Sequence, residues 1–318
     1  MAAAPVVPDR RALVRAARMI GPYVRRTPVR AVGDGLLLKL ELEQHTGSFK
    51  PRGAFHGVLH DDVAPTRLVA ASGGNHGLAV AHVGRTLGIP VEVFVPEAAP
   101  AVKVAGLRSL GAVVHQGGAS YAEALAASRT LAERPGTLAL HAYDGSRTVA
   151  GQGTLGLELE DQVPDVETVV VAVGGGGLVG GVAAWAATRS TPPRVVAVET
   201  VGCPTLHAAL AAGRPVEVAP SGIAADSLGA SRIGEVGLAA VSALADRRAL
   251  LVDDDQVRSA RQALWADHGV AAEAGGATAW AALHSGAYVP APGERVVVVV
   301  CGGNADHTDL PGWPGSPT

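Results

Sequence analysis

The sequence predicts an α/β protein with parallel sheets, in which a small domain of residues 66–141 is inserted into a larger one made of residues 1–65 and 142–318. Two observations carry this. Between Leu68 and His141 four short apolar runs alternate with helical segments, the pattern of a compact parallel sheet with helical crossovers. Further on, Val169-Val170-Val171-Ala172-Val173 is a continuous apolar run of the kind found in strands buried on both faces. With 318 residues and 48% hydrophobic composition the chain can bury a large core.

The elements follow in order. Residues 9–20 space Leu13, Ala16, Ala17 and Ile20 helically, and Thr27-Pro28-Val29 is extended because proline disfavours helix before it. The alternating run Leu37-Leu38-Lys39-Leu40-Glu41-Leu42-Glu43 reads as a strand with Lys39 as a solvated charge. After the Thr46–Ala54 segment, His56 and His60 stand four apart on a helix, a spacing that can bind metal; no third ligand is evident, so a solvated helix face is expected. Strands are expected at 68–71, 91–95, 112–115 and 138–141. Between them lie the helix 75–87, closed by Gly88, a surface helix 100–110 carrying Lys103, and a helix to Glu133 opened by a Ser120/Glu123 capping box. A helix from Gly151 through Glu160, strands at 169–173 and 194–199, helices at 254–268 and from Glu273, and the strand 296–300 complete the large domain. The tail Pro311–Thr318 is expected to be loose.

Composition excludes several classes. A net charge of −3 with scattered signs lacks the basic stripe of a nucleic-acid surface. Two cysteines, Cys203 and Cys301, form no disulfide framework, which fits a reducing cytosol. The N-terminus lacks a charged region followed by an apolar core, so no signal peptide is expected. Thr168–Ala187 is nearly uncharged and as long as a membrane span, but its glycines would each cost a helix interior about 1 kcal/mol. A strand, a glycine loop and a helix fit better, and a soluble protein is expected.

Four places can carry chemistry. Lys50, one of three lysines, lies between Phe49 and Pro51 in a Gly/Ser turn from strand to helix. Burial lowers a lysine's pKa until its amine is a nucleophile able to form a Schiff base, although lysine statistics alone leave an exposed residue equally plausible. Gly174-Gly175-Gly176-Gly177 joins a buried strand to a helix, where backbone N–H groups and the helix dipole converge on an anion. The overlapping Gly175–Gly180 also matches a dinucleotide fingerprint, with Glu199 ending the next strand, and the local motif does not decide between the two. Ala71-Ser72-Gly73-Gly74-Asn75-His76-Gly77 opens a helix, so Asn75 is either a plain cap or part of a carboxylate site. Cys301 ends a five-valine strand at the carboxyl end where α/β ligands bind, or is a buried structural thiol.

Taken in order from about Thr27 to Asn304, these motifs resemble the fold-type II pyridoxal-phosphate (PLP) enzymes, in the branch of serine and threonine dehydratases and serine racemase. The resemblance implies a tryptophan synthase β-like fold, two doubly wound α/β domains with pyridoxal 5'-phosphate between them. It implies that Lys50 holds the cofactor and takes the substrate α-proton, that Phe49 packs by the ring, and that Gly174, Gly175, Gly176 and Gly177 bind the phosphate. Asn75 would meet the ring oxygen and Cys301 the pyridine nitrogen, while Ser72, Gly74, Asn75 and His76 hold the substrate carboxylate. A neutral thiol, with an ordinary pKa of about 8.5, does not keep that nitrogen protonated, which favours elimination. A dinucleotide reading leaves Lys50, Asn75 and Cys301 unexplained.

The implied reaction is β-elimination on L-threonine, L-serine or a related β-hydroxy amino acid, giving a 2-oxo acid and ammonia. Alternatives are β-replacement of the cysteine synthase type, racemisation and, remotely, a dinucleotide-dependent oxidoreductase. Racemisation is disfavoured because serine racemases carry a serine where this chain has Gly73. Some relatives bind a divalent cation through counterparts of Glu199, the Cys203 carbonyl and an aspartate; Thr205 replaces that aspartate, and no metal is expected. Ser227 departs from the usual Ile-Ala-Asp-Gly of dehydratases and faces the substrate on this reading. A cytoplasmic homodimer without nucleic-acid or membrane partners is expected.

Overall fold

The computed structural model describes residues 4–60, 63–119 and 121–314. The chain starts with α1 (Arg10–Ile20), whose first turn is capped by the Asp9 carboxylate accepting from the Ala12 N–H at 2.8 Å. Strands β1 (Val29–Ala31) and β2 (Leu36–Leu40), two short 3₁₀ turns and α2 (Lys50–Leu59) follow, with Pro51 in the first turn of α2, where its missing N–H costs nothing. Next come β3 (Arg67–Ala71), α3 (Asn75–Leu87), β4 (Val91–Val95), α4 (Ala101–Ser109), β5 (Val113–Gln116), α5 (Tyr121–Ala132) and β6 (Thr137–Ala139). The remainder is α6 (Ser146–Gln162), β7 (Thr168–Ala172), α7 (Gly177–Ala186), β8 (Arg194–Thr200), α8 (Thr205–Ala212), α9 (Ala225–Leu228), α10 (Glu235–Ser242), β9 (Ala249–Val252), α11 (Asp254–His268), α12 (Ala274–His284) and β10 (Val296–Val300).

Two sheets result. One is four-stranded and parallel, in the order β5-β4-β3-β6; the other has the order β1-β2-β10-β7-β8-β9, parallel except for β1 against β2. Every residue of β7 and β10 is buried, as their unbroken apolar character requires. Helices cross between parallel neighbours, so the carboxyl ends of β2, β3, β7, β8 and β10 lead into the loops that carry the candidate residues. A single antiparallel bridge between Ser48 and Gly302, continued by the Phe49 N–H donating to the Cys301 carbonyl at 3.1 Å, sets Lys50 beside Cys301.

Several expectations are corrected. Helix α6 starts five residues before Gly151, because its glycines serve packing: a methyl at Gly151 would lie 2.5 Å from the Arg52 carbonyl oxygen, and one at Gly156 2.3 Å from the Trp185 ring. Lys39 is fully buried instead of solvated, since α6 covers that face of β2 and offers its ammonium Gln162 Oε1 at 2.8 Å and Glu158. The strand stops at Leu40, and Glu41 turns inward to the equally buried Arg52, which donates to it at 2.7 and 2.8 Å and to Glu158 at 2.6 and 3.0 Å. His56 is buried as well, with Nδ1 2.7 Å from the Arg147 carbonyl, because α2 packs against α6. Lys103 forms an ion pair with Asp226 across the opening between the two sheets. Residues 311–314 are held, by Trp265 Nε1 donating to the Pro311 carbonyl at 2.8 Å and by Trp313 packing on Trp265 and His307. Ser120 of the expected capping box and residues 315–318 lie outside the described residues. No described helix is long and apolar enough to cross a membrane.

Candidate active site

The fold brings Phe49, Lys50, Asn75, the Gly174–Gly177 loop and Cys301 to one cavity, which Tyr143, Ser227, Leu228 and Glu273 also line. Lys50 opens α2, and its amine turns inward to donate to the Ala142 carbonyl at 2.9 Å, 5.0 Å from the centre of the Phe49 ring. Burial pulls its pKa down from 10.5 to about 8, while Cys301 and Glu273 pull weakly the other way. The amine is therefore poised to lose its proton near neutral pH, which the free amino acid is not. Cys301 is 4% exposed, its thiol pushed up to about 12 by burial, so it sits in the cavity as a neutral group.

The glycine loop has its carbonyls tied on one side. The Gly174 oxygen accepts from Thr205 Oγ1 at 2.5 Å, the Gly175 oxygen from the Gly234 N–H at 3.0 Å, and the Gly176 oxygen from the Gly180 N–H at 2.9 Å. Among the described residues the N–H groups of Gly175, Gly176 and Gly177 find no protein acceptor, and they lie at the amino end of α7. A positive φ of 87° at Gly176 needs glycine, and a methyl on Gly175 would fall 2.1 Å from the Tyr143 ring. Such a concavity of donors at a helix start attracts an anion.

Of the Ser72–His76 loop at the end of β3, Asn75 lines this cavity, while Gly73 and Gly74 line a neighbouring pocket shared with Asn75, Lys103, Asp226, Glu273 and Asn304. Ser72 Oγ accepts from the Gly74 N–H at 3.3 Å, and the amino end of α3 begins at Asn75. His76 is 7% exposed with Nε2 2.9 Å from the Leu140 carbonyl, and burial pulls its pKa down to about 3, so the ring is neutral. Gly73 has only Val95 Cγ1, 3.4 Å away, near the position a side chain would take. Ser227 Oγ accepts from the Gly275 N–H at 3.1 Å, at the cavity wall.

Tyr143, Leu228, Glu273 and Asn304 escaped the sequence reading, and the last two meet at Asn75. Glu273 is 4% exposed and accepts from Asn75 Nδ2 at 2.6 Å, and burial pushes its carboxyl up to about 7. Asn304 donates to Asn75 Oδ1 at 2.7 Å and to the Thr46 carbonyl at 2.6 Å. Asn75 is thus bonded at both ends of its amide, which fixes its orientation. A carboxylate beside Gly275-Gly276 and an asparagine after Gly302-Gly303 were the available signals, but neither reveals a partner some two hundred residues away.

At Glu199, Oε1 accepts from the Leu206 N–H at 2.7 Å and Oε2 from the His207 N–H at 2.8 Å. Among the described residues no group of three His, Cys, Asp or Glu is arranged to hold a metal ion.

Comparison with known proteins agrees with this geometry. The family model described as pyridoxal-phosphate dependent enzyme matches residues 20–302. The L-threonine ammonia-lyase of Thermotoga maritima is 35% identical over 276 residues, 86% of this chain and 68% of its own length. The phenylserine dehydratase of Ralstonia pickettii is 33% identical over 311 residues, covering 94% of both chains. Maize serine racemase superposes with a TM-score of 0.88 at 32% identity, covering 95% of each chain.

Proposed function

The chain belongs to the pyridoxal-phosphate dependent enzyme family, and from that premise we propose that it is a dehydratase converting L-threonine, L-serine or a related β-hydroxy amino acid to a 2-oxo acid and ammonia. Its fold is that of the fold-type II members, and its cofactor is pyridoxal 5'-phosphate. The residues present fit that cofactor: an inward amine of lowered pKa, a loop of outward-tied carbonyls leaving N–H groups for a phosphate, and a neutral thiol at the opposite end. In this reading residues 66–141 form the substrate-binding domain and the rest the cofactor domain.

Lys50 would hold the cofactor with Phe49 packed beside it, Gly174–Gly177 its phosphate, Asn75 its ring oxygen, and Cys301 would stand at its ring nitrogen. When bound, the cofactor draws electrons away from the substrate Cα. The substrate carboxylate would meet Ser72, the N–H groups at Gly74 and the start of α3, and the Asn75-His76 pair, where a helix amino end favours negative charge. Lys50 would be the base for the substrate α-proton, its lowered pKa matching the task near neutral pH. The α-proton and the Cβ hydroxyl together leave as one water, and the enamine released takes up water to give the 2-oxo acid and ammonia. Cys301 would stand at the ring nitrogen as a neutral thiol, without the charge that holds a proton there, which supports elimination.

The single observation that carries the choice of dehydratase over racemase is Gly73. Lys50 would serve one face of the substrate, and at the position where the resemblance implies an acid for the other face this chain has Gly73, which carries no side chain. The decisive experiment is a panel of β-hydroxy amino acids, L-threonine, L-serine and phenylserine included, scored for 2-oxo acid and ammonia, with sulfide added in a parallel arm. Keto acid and ammonia are expected; cysteine from the sulfide arm, or D-amino acid without keto acid, would overturn the assignment. Two buried free thiols support a reducing cytoplasmic setting, and a homodimer rests on the family resemblance; sedimentation decides the latter.

A further inference from the structure

Glu199 and Thr205, both fully buried, lie outside the residues assigned above, yet their contacts lead back to the glycine loop. Glu199, near the end of β8, is held by the first turn of α8 through the Leu206 and His207 N–H groups at 2.7 and 2.8 Å. Thr205 Oγ1 lies 3.0 Å from Glu199 Oε1 and 2.5 Å from the Gly174 carbonyl oxygen. A threonine hydroxyl has a single hydrogen, and the shorter contact assigns it to Gly174. Its oxygen stays 3.0 Å from Glu199 Oε1, which the first turn of α8 holds in place.

We propose that Thr205, oriented by Glu199, is a positioning residue for the cofactor phosphate, acting by fixing the Gly174–Gly175 peptide. In a planar trans peptide the C=O and the following N–H point in opposite directions, so whatever holds the Gly174 oxygen aims the Gly175 N–H. Gly174 lies beyond the end of β7, where no strand ladder is left to hold its carbonyl. The next two carbonyls of the loop are held by backbone N–H groups, and among the three only Gly174 depends on a side chain. The peptide has little room to slide instead, because Leu228 backbone atoms stand 2.9 Å from where a Gly174 Cβ would be. One hydroxyl behind the loop therefore controls a donor at its front.

The inference rests on the reading of residues 174–177 as the phosphate site, and the test separates the two. Holoprotein of wild type, Thr205→Val, Thr205→Ala and Thr205→Ser is stripped of cofactor and titrated with pyridoxal 5'-phosphate and, separately, with pyridoxal, which lacks the phosphate, followed by visible absorbance. Valine and alanine are expected to weaken the phosphorylated aldehyde about tenfold and pyridoxal by less than about twofold, the loss of one buried hydrogen bond aimed at a charged group. Serine, which keeps the hydroxyl, is expected to stay within about twofold of wild type for both. Equal weakening of both aldehydes, or of neither, overturns the positioning role while leaving the phosphate assignment standing. Should wild type itself bind pyridoxal as tightly, with inorganic phosphate failing to compete, the assignment of the loop falls and the inference with it. Alanine keeps the test open if the valine methyl is not accepted against the Gly174 carbonyl.

Discussion

Replacing Lys50 by methionine should make the cofactor-free protein more stable while abolishing cofactor capture and turnover. The magnitude follows from the lysine's surroundings. A buried amine whose pKa falls from 10.5 to about 8 is destabilised in its charged form by about 3 kcal/mol, at 1.36 kcal/mol per pH unit. That figure is an upper one, because Lys50 as a whole is only partly covered. For the sign, the folded protein loses this proton at about pH 8 and the unfolded chain near 10.5. Between those values the unfolded chain binds more protons, so wild-type stability rises with pH, and below 8 the full cost is present. Methionine, similar in length and uncharged, never incurs it. Urea unfolding of cofactor-free wild type and Lys50→Met at pH 7 and pH 9.5 is the assay, since other titrating groups cancel in the difference. The variant is expected to be more stable at pH 7, with the gap smaller by about 2 kcal/mol at pH 9.5. A variant less stable than wild type at pH 7, or a gap independent of pH, would refute the account of a buried, destabilised amine.

Arg52→Met leaves Glu41 and Glu158 facing each other without their shared guanidinium, and a loss of about 3–5 kcal/mol in urea unfolding is expected; a loss below 1 kcal/mol would mean the cluster adapts. Gly175→Ala places a methyl 2.1 Å from the Tyr143 ring, so the loop or the ring must move. Gel filtration should then strip the cofactor from this variant faster than from wild type, with stability lower by about 1–3 kcal/mol. Glu273 holds a proton up to about pH 7 that an unfolded glutamate gives up near 4.5. Folding is therefore favoured by this group at low pH, and wild type should lose stability relative to Glu273→Gln as pH rises from 4.5 through 7; parallel pH profiles would contradict a buried protonated carboxyl.

The sequence by itself determined the α/β class, the order of most strands and helices, though not α8, α9, α10 or β9, and the four motifs that meet in the cavity. Each of those rests on local signals: an unbroken valine run needs two covered faces, a glycine run after a strand opens a helix amino end, and a lysine between phenylalanine and proline marks a turn. Such signals survive in the chain because the backbone constraint and the residue that meets it are neighbours. What only the tertiary structure decided is which charges lie inside. Lys39 looks like the outer face of an alternating strand, yet α6, more than a hundred residues later, covers it and supplies Glu158 and Gln162. Glu273 and Asn304 become site residues only because α12 and the loop after β10 end beside Asn75 at the start of α3. Thr205 is an unremarkable first residue of α8 until the parallel pairing of β7 with β8 sets it behind Gly174. Burial and pairing are properties of distant segments brought together, and no local pattern of residue types encodes the distance between them.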